Sequence, residues 1–138
     1  MKLLKILAIV GVAIGALLAL MPNQPLDLSK VEKNEAQFEE LDFLVGCQSQ
    51  YSDEKKKQIF TEAHKGKVFT WTGTVSQSDD GTIDLDLNNG GLPDLRVRLA
   101  DKKQGFDLVK GQTLTVQFVM NVAGGCFLPF SGDSATII

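Results

Sequence analysis

Apolar residues follow three different rhythms along the chain, and each rhythm predicts a different kind of segment. From Ile6 to Met21 no charge interrupts an apolar run. Between residues 31 and 45 the rhythm is helical: Val31, Phe38, Leu41 and Val45 recur at spacings that share one helix face. Ser29 and Glu32 have capping-box spacing, so a helix is expected over Lys30–Leu44, ending before Gly46, with an acidic outer face. A second helix is expected over Asp53–His64. Ser52 can cap it, Asp53 and Glu54 suit the positive end of its dipole, and Gly66 can terminate it. Ile59, Phe60 and Ala63 form its apolar stripe, and Lys55, Lys56 and Lys57 read as a solvated face.

From Lys67 the period drops to two, the signature of a strand with one buried face. Phe69, Trp71, Gly73 and Val75 alternate with threonines, which makes Trp71 a core residue rather than a ligand platform. Asp79-Asp80-Gly81 signals a turn, and Ile83, Leu85 and Leu87 then alternate with Asp84, Asp86 and Asn88. Asn89-Gly90-Gly91 turns again, and Leu95, Val97 and Leu99 alternate with Arg96 and Arg98. Phe106 and Leu108 read as a plug, Leu114 to Val122 as a fourth strand and Ala135–Ile138 as a fifth. Five short strands leave edges that closure removes, and Gly73 is where the first strand could bend to serve both halves of a closed sheet. The expected fold is mainly β with N-terminal helices: a five-stranded OB-like Greek-key barrel preceded by a membrane anchor or signal helix. The organisation is then leader 1–21, spacer 22–50 with an acidic amphipathic helix, and barrel with its leading helix 51–138.

Three stretches carry a resemblance: Gly66-Lys67-Val68-Phe69-Thr70-Trp71-Thr72-Gly73-Thr74-Val75, Leu108-Val109-Lys110-Gly111-Gln112-Thr113-Leu114-Thr115-Val116, and Ala135-Thr136-Ile137-Ile138. The region from Asp53 to Ile138 resembles the tRNA anticodon-binding-like OB-fold family of exported bacterial proteins. The resemblance implies the barrel and an envelope location, and it transfers no catalytic residue.

The N-terminus sets the compartment. Lys2 and Lys5 before the apolar run place that end in the cytoplasm and the remainder outside. Leu3–Met21 is long enough to cross a bilayer with Lys5 snorkelling, and Leu17–Met21 makes a poor cleavage site. An inner-membrane anchor with the domain in the periplasm is therefore favoured. The alternative is a cleaved signal and an exported domain. No cysteine follows the run to accept a lipid. The only cysteines, Cys47 and Cys126, read as a disulfide in an oxidising compartment.

Charge and site chemistry narrow the function. Residues 22–138 hold 12 basic and 17 acidic residues, which disfavours a phosphate backbone. OB barrels that bind single strands stack bases on aromatic rings of strands two and three. Here that outer surface would carry Asp84 and Asp86 opposite Arg96 and Arg98, as cross-strand ion pairs without an aromatic ring. Asp84, Asp86 and Asn88 fall short of a calcium loop, because Gly90 comes one residue late and Leu95 stands where the bidentate glutamate belongs. His64, the sole histidine, reads as a helix-end residue with no nucleophile beside it. No cofactor or metal is expected. The connection from Val122 to Asp133, with Phe127, Leu128 and Phe130, is unusually apolar. It either covers the barrel end or docks a partner, and covering is favoured. The reading is a non-catalytic, membrane-tethered extracytoplasmic module that engages an envelope protein. The alternatives are a small envelope ligand and, by fold analogy, single-stranded nucleic acid.

Overall fold

The computed structural model describes residues 25–138, so the leader 1–21 lies outside the described residues. Among the described residues no helix is long and apolar enough to cross a membrane.

The first helix is much shorter than its sequence pattern suggests. Asp27, rather than Ser29, caps a 3-10 turn over Leu28–Lys30, its carboxylate accepting from the Ser29 amide at 3.0 Å. Residues 31–37 then run extended. Val68 donates its amide to the Glu32 carbonyl and Asn34 donates to the Val68 carbonyl, both at 2.9 Å. The backbone thus bonds to a strand start instead of to itself, which corrects the helix expected over Lys30–Leu44. Helix α1 is Phe38–Val45, and its stripe of Phe38, Leu41 and Val45 is buried. Val31 packs instead with Leu28, Val68 and Val119 in a separate small cluster. Helix α2 is Asp53–Ala63, capped by Ser52 Oγ accepting from the Lys55 amide at 3.3 Å. Gly66 follows it at φ +79°, where a side chain would be strained.

Five strands close into a barrel: β1 (Val68–Asp79), β2 (Thr82–Asp86), β3 (Leu95–Leu99), β4 (Thr113–Val122) and β5 (Phe130–Ile137), in the order β1-β2-β3-β5-β4. The β3–β5 ladder is parallel and the other four are antiparallel. This is an OB-like barrel. Strand β1 pairs with β4 from Val68 to Thr74 and with β2 from Thr74 onward, so it serves both halves of the barrel. The changeover falls beside Gly73, where a Cβ would lie 2.9 Å from the Asp86 carbonyl oxygen. Only glycine allows the strands to come that close.

Strand β5 begins at Phe130, five residues before the expected Ala135 start. Inward positions Phe130 and Gly132 precede Ala135. Gly132 offers no side chain because a Cβ there would lie 2.5 Å from the Val119 carbonyl oxygen. The missing side chain erases the alternation that marks a strand.

Trp71, Phe69, Phe118 and Phe130 fill the barrel, with ring centroids 5.4 to 6.1 Å apart. Phe38 of α1 meets Trp71 and Phe130 edge-on at 5.9 and 6.0 Å and closes that end. Trp71 Nε1 donates to the Ala36 carbonyl at 2.8 Å, so its one polar atom is satisfied in the core. The opposite end is closed by a 3-10 turn, Lys102–Gly105. Its buried residue is Gly105, whose carbonyl accepts from Ser78 Oγ at 3.1 Å. Phe106 consequently points away and is 87% exposed, against the expected plug, whereas Leu108 packs on the core.

Candidate functional site

The α1 end of the barrel gathers the β2–β3 loop (87–94), the β4–β5 loop (123–129) and the only disulfide among the described residues, Cys47–Cys126. The bridge ties the residue after Gly46, just past α1, to the tip of the β4–β5 loop. Asp42 helps to set its position, accepting from the Cys47 amide at 2.7 Å.

Two buttressed loops project apolar side chains here. Phe127 is 96% exposed, Leu128 73% and Leu92 69%. Phe130, by contrast, is 2% exposed and belongs to the core, so of the candidate contact residues it cannot meet a partner. The segment is thus divided: Phe130 covers the barrel end, and Phe127 and Leu128 face solvent. Sequence reasoning passed over Leu92, although an apolar residue between Gly91 and Pro93 in a turn is a usable signal.

The β2–β3 loop is held from within by carboxylates. Asp86 accepts from the amides of Asn88 and Gly90 at 3.2 Å each and of Gly91 at 2.8 Å. Asp94 accepts from the amides of Leu87 at 2.8 Å and Asn88 at 3.2 Å. Burial raises the Asp94 carboxyl above its ordinary value; the two amide bonds oppose this, and Asp86 and Asp42 add to it. Between the loops lies a groove of about 250 Å³, lined among others by Phe38, Asp42, Asp94, Phe127 and Pro129.

The outer face of β2 and β3 is a second, polar surface. Asp84 and Arg96 are cross-strand partners, and the guanidinium grips the nearly buried carboxylate bidentately, Nε–Oδ1 at 2.7 Å and Nη2–Oδ2 at 2.8 Å. The other expected pair does not form. Thr82 faces Arg98 in the ladder, and Asp86 is committed to its loop amides. Among the described residues Arg98 has no ion-pair partner. The depression on this face is lined by Gln77, Asp79, Asp80, Thr82, Asp84, Arg96, Arg98 and Lys102, with no aromatic ring. Among the described residues no cluster of His, Cys, Asp and Glu could hold a metal ion.

His64 is a buried joint between the N-terminal segment and α2. Asn34 Oδ1 accepts from the Ala36 amide at 2.9 Å, which turns Nδ2 toward the Ala63 carbonyl (3.1 Å) and His64 Nδ1 (3.0 Å). The ring therefore accepts at Nδ1 and carries its proton at Nε2. Burial and nearby Lys67 lower its pKa from 6.5, with Glu40 opposing. Among the described residues Asn34 is the only side chain hydrogen-bonded to the ring.

Compared with family models, with curated proteins and with solved structures, the chain matches none.

Proposed function

We propose that this chain is a non-catalytic, membrane-tethered module of the cell envelope whose OB-like barrel engages a protein partner through Leu92, Phe127 and Leu128. The observation that carries this reading is the exposure of those three apolar side chains on two loops already fixed by a disulfide and by carboxylate–amide bonds. Fixed loops lose little further entropy on binding, and exposed aromatic and aliphatic anchors make effective contacts. Asp42 and Asp94 flank the ridge, so a partner with a basic rim around an apolar pocket would complement it. The disulfide is compatible with an extracytoplasmic compartment. The favoured location is the periplasmic face of the inner membrane; release beyond it follows if the leader is cleaved.

The test is crosslinking in intact membranes, comparing the full chain with a Phe127→Ser/Leu128→Ser variant that retains its disulfide and thermal transition. One defined protein crosslinked to the first and lost from the second supports the reading. The same products from both, or none from either, would sink it. In the latter case the adjoining groove of about 250 Å³ favours a small ligand instead. Such a ligand would raise the thermal transition of the serine variant as well, since Phe38 and Asp94 remain.

A further inference from the structure

Helix α2 and the end of β4 form a face that the partner ridge does not use. A depression of about 360 Å³ has Phe60, Val122 and Ala123 among its apolar lining and Lys56, Lys57 and Lys65 around it. Lys57 and Lys65 have no ion-pair partner among the described residues, and Lys56 meets only the fully exposed Asp53 at 3.4 Å. Asp53 is the one acid in the lining, against three lysines, while Lys55, Gln58 and Glu62, which are not part of it, bond in series along the surface at 3.3 and 3.2 Å. Val122 is itself exposed. In a chain that is acidic as a whole, this is a local patch of cations on an apolar floor.

The N-terminal segment packs on the strand that walls this patch. Leu28 packs on Val68 and Val119, and Val119 lies on β4 just before the Asn121–Ala123 wall of the depression. Residues 22–27 separate Leu28 from the apolar run that ends at Met21, and six extended residues reach at most about 20 Å. The attraction of an anionic leaflet for lysine acts within roughly one Debye length, about 8 Å at physiological salt. So short a link holds the domain near the membrane surface, where rotation about the link can bring this face into that range. At the ridge, Asp42 and Asp94 would instead repel an anionic surface.

We propose that the α2–β4 face, Lys56, Lys57 and Lys65 around Phe60 and Val122, docks on the anionic headgroups of the membrane that tethers the chain. This rests on residues 3–21 being an anchor for the reach of the link, but the lysine face itself does not depend on that reading. Docking there fixes the orientation of the barrel and leaves the Leu92–Phe127–Leu128 ridge to a partner.

The test adds the full chain to preformed vesicles of phosphatidylcholine alone, or of phosphatidylcholine with phosphatidylglycerol. Lysine acetylation rates are read by mass spectrometry, with flotation as a second readout. Lys56, Lys57 and Lys65 are expected to react about tenfold more slowly on the mixed vesicles, a protection that high salt removes. Lys102, Lys103 and Lys110, beyond β3 on the far end, should be unchanged. A Lys57→Glu/Lys65→Glu variant, altered only on the surface, should lose the protection of Lys56. Equal rates on both vesicle types overturn the proposal. So does deuterium-exchange protection that appears at residues 123–129 instead of α2. Flotation with pure phosphatidylcholine vesicles tests the anchor separately. A chain that floats only with the mixed vesicles, its three lysines protected, contradicts the anchor and upholds the face.

Discussion

The two ends of the barrel are closed in different ways. At the α1 end, a helix seats Phe38 on Trp71 and Phe130, a disulfide joins that helix to the β4–β5 loop, and two aspartates hold the β2–β3 loop. At the opposite end, with no disulfide or α-helix among the described residues, a four-residue 3-10 turn is held by Ser78 Oγ donating to the Gly105 carbonyl, Gln104 accepting from the Ile137 amide and an exposed Lys102–Asp80 pair, with the partly buried Leu108 beside it. Both ends nevertheless expose apolar residues: Phe127, Leu128 and Leu92 at the first, Phe106 and Val109 at the second. Exposure alone therefore does not mark a site. The α1 end differs because its exposed residues sit on a scaffold stiffened by covalent and hydrogen bonds.

The largest test of this contrast removes the covalent part. A Cys47→Ser/Cys126→Ser variant frees a loop with a separation of 79 residues and is expected to lose about 4 kcal/mol in urea unfolding. If the α1 end is a scaffold, amide exchange in residues 123–129 should quicken well below the unfolding midpoint, while residues 100–112 stay as they were. Equal loosening at both ends would show the bridge to be a general restraint on the chain.

Next comes the strand face between the ends, where two arginines on one strand differ in what they hold. Arg96 neutralises a nearly buried carboxylate, so Arg96→Ala leaves Asp84 unpaired and should cost about 1–2 kcal/mol, less than a fully buried pair because the arginine is half exposed. Arg98→Ala removes no ion pair and should fall within about 0.5 kcal/mol. A double cycle with Asp84→Asn should recover most of the Arg96 loss. Similar costs for the two arginines would mean that their alkyl stems, not the carboxylate, carry the effect.

These two arginines also show where sequence reasoning stops. Alternation correctly places Ile83, Leu85, Leu95, Val97 and Leu99 inward, and with them Asp84 and the arginines on the other face. Register decides the pairing: Thr82, not Asp86, comes opposite Arg98. Asp86 is drawn off by the amides of a glycine turn, a demand that periodicity does not show. The same limit applies at the N-terminus. The stripe of Phe38, Leu41 and Val45 is legible, but residues 31–37 are extended because their backbone groups bond across to Val68, a tertiary choice. Gly132 conceals the start of β5 since its inward position is empty by necessity. The disulfide, the strand that bends beside Gly73 and the inward Phe69 and Trp71 were readable. The split of residues 122–133 into a buried Phe130 and an exposed Phe127 was not, because both sit in one uncharged run.

A smaller effect follows from His64, which joins α2 to the N-terminal segment at the α1 end. Its neutral ring accepts from Asn34, and burial with Lys67 nearby lowers its pKa beneath 6.5. The unfolded chain then binds a proton that the folded one resists. The stability His64 contributes is complete above pH 6.5 and is lost as pH falls below it toward the lowered folded value. A His64→Gln variant should flatten that part of the stability–pH curve. A curve of unchanged slope would assign the acid sensitivity to other groups.

The smallest expected effects are the most diagnostic for function. Phe106→Ser and Phe127→Ser each replace a side chain that is almost wholly exposed, 87% and 96% respectively, so each should change stability by less than about 0.5 kcal/mol. On packing grounds the two substitutions are equivalent, one at each end of the barrel. Only a partner distinguishes them. In membrane crosslinking, Phe127→Ser should lose the specific product and Phe106→Ser should keep it. A cost above about 1 kcal/mol for Phe127→Ser would mean that its ring covers the barrel end in solution, as the uncharged run around it first suggests. Loss of the product with Phe106→Ser alone would move the partner to the lightly closed end, and the stiffness of the α1 end would then serve the fold rather than recognition.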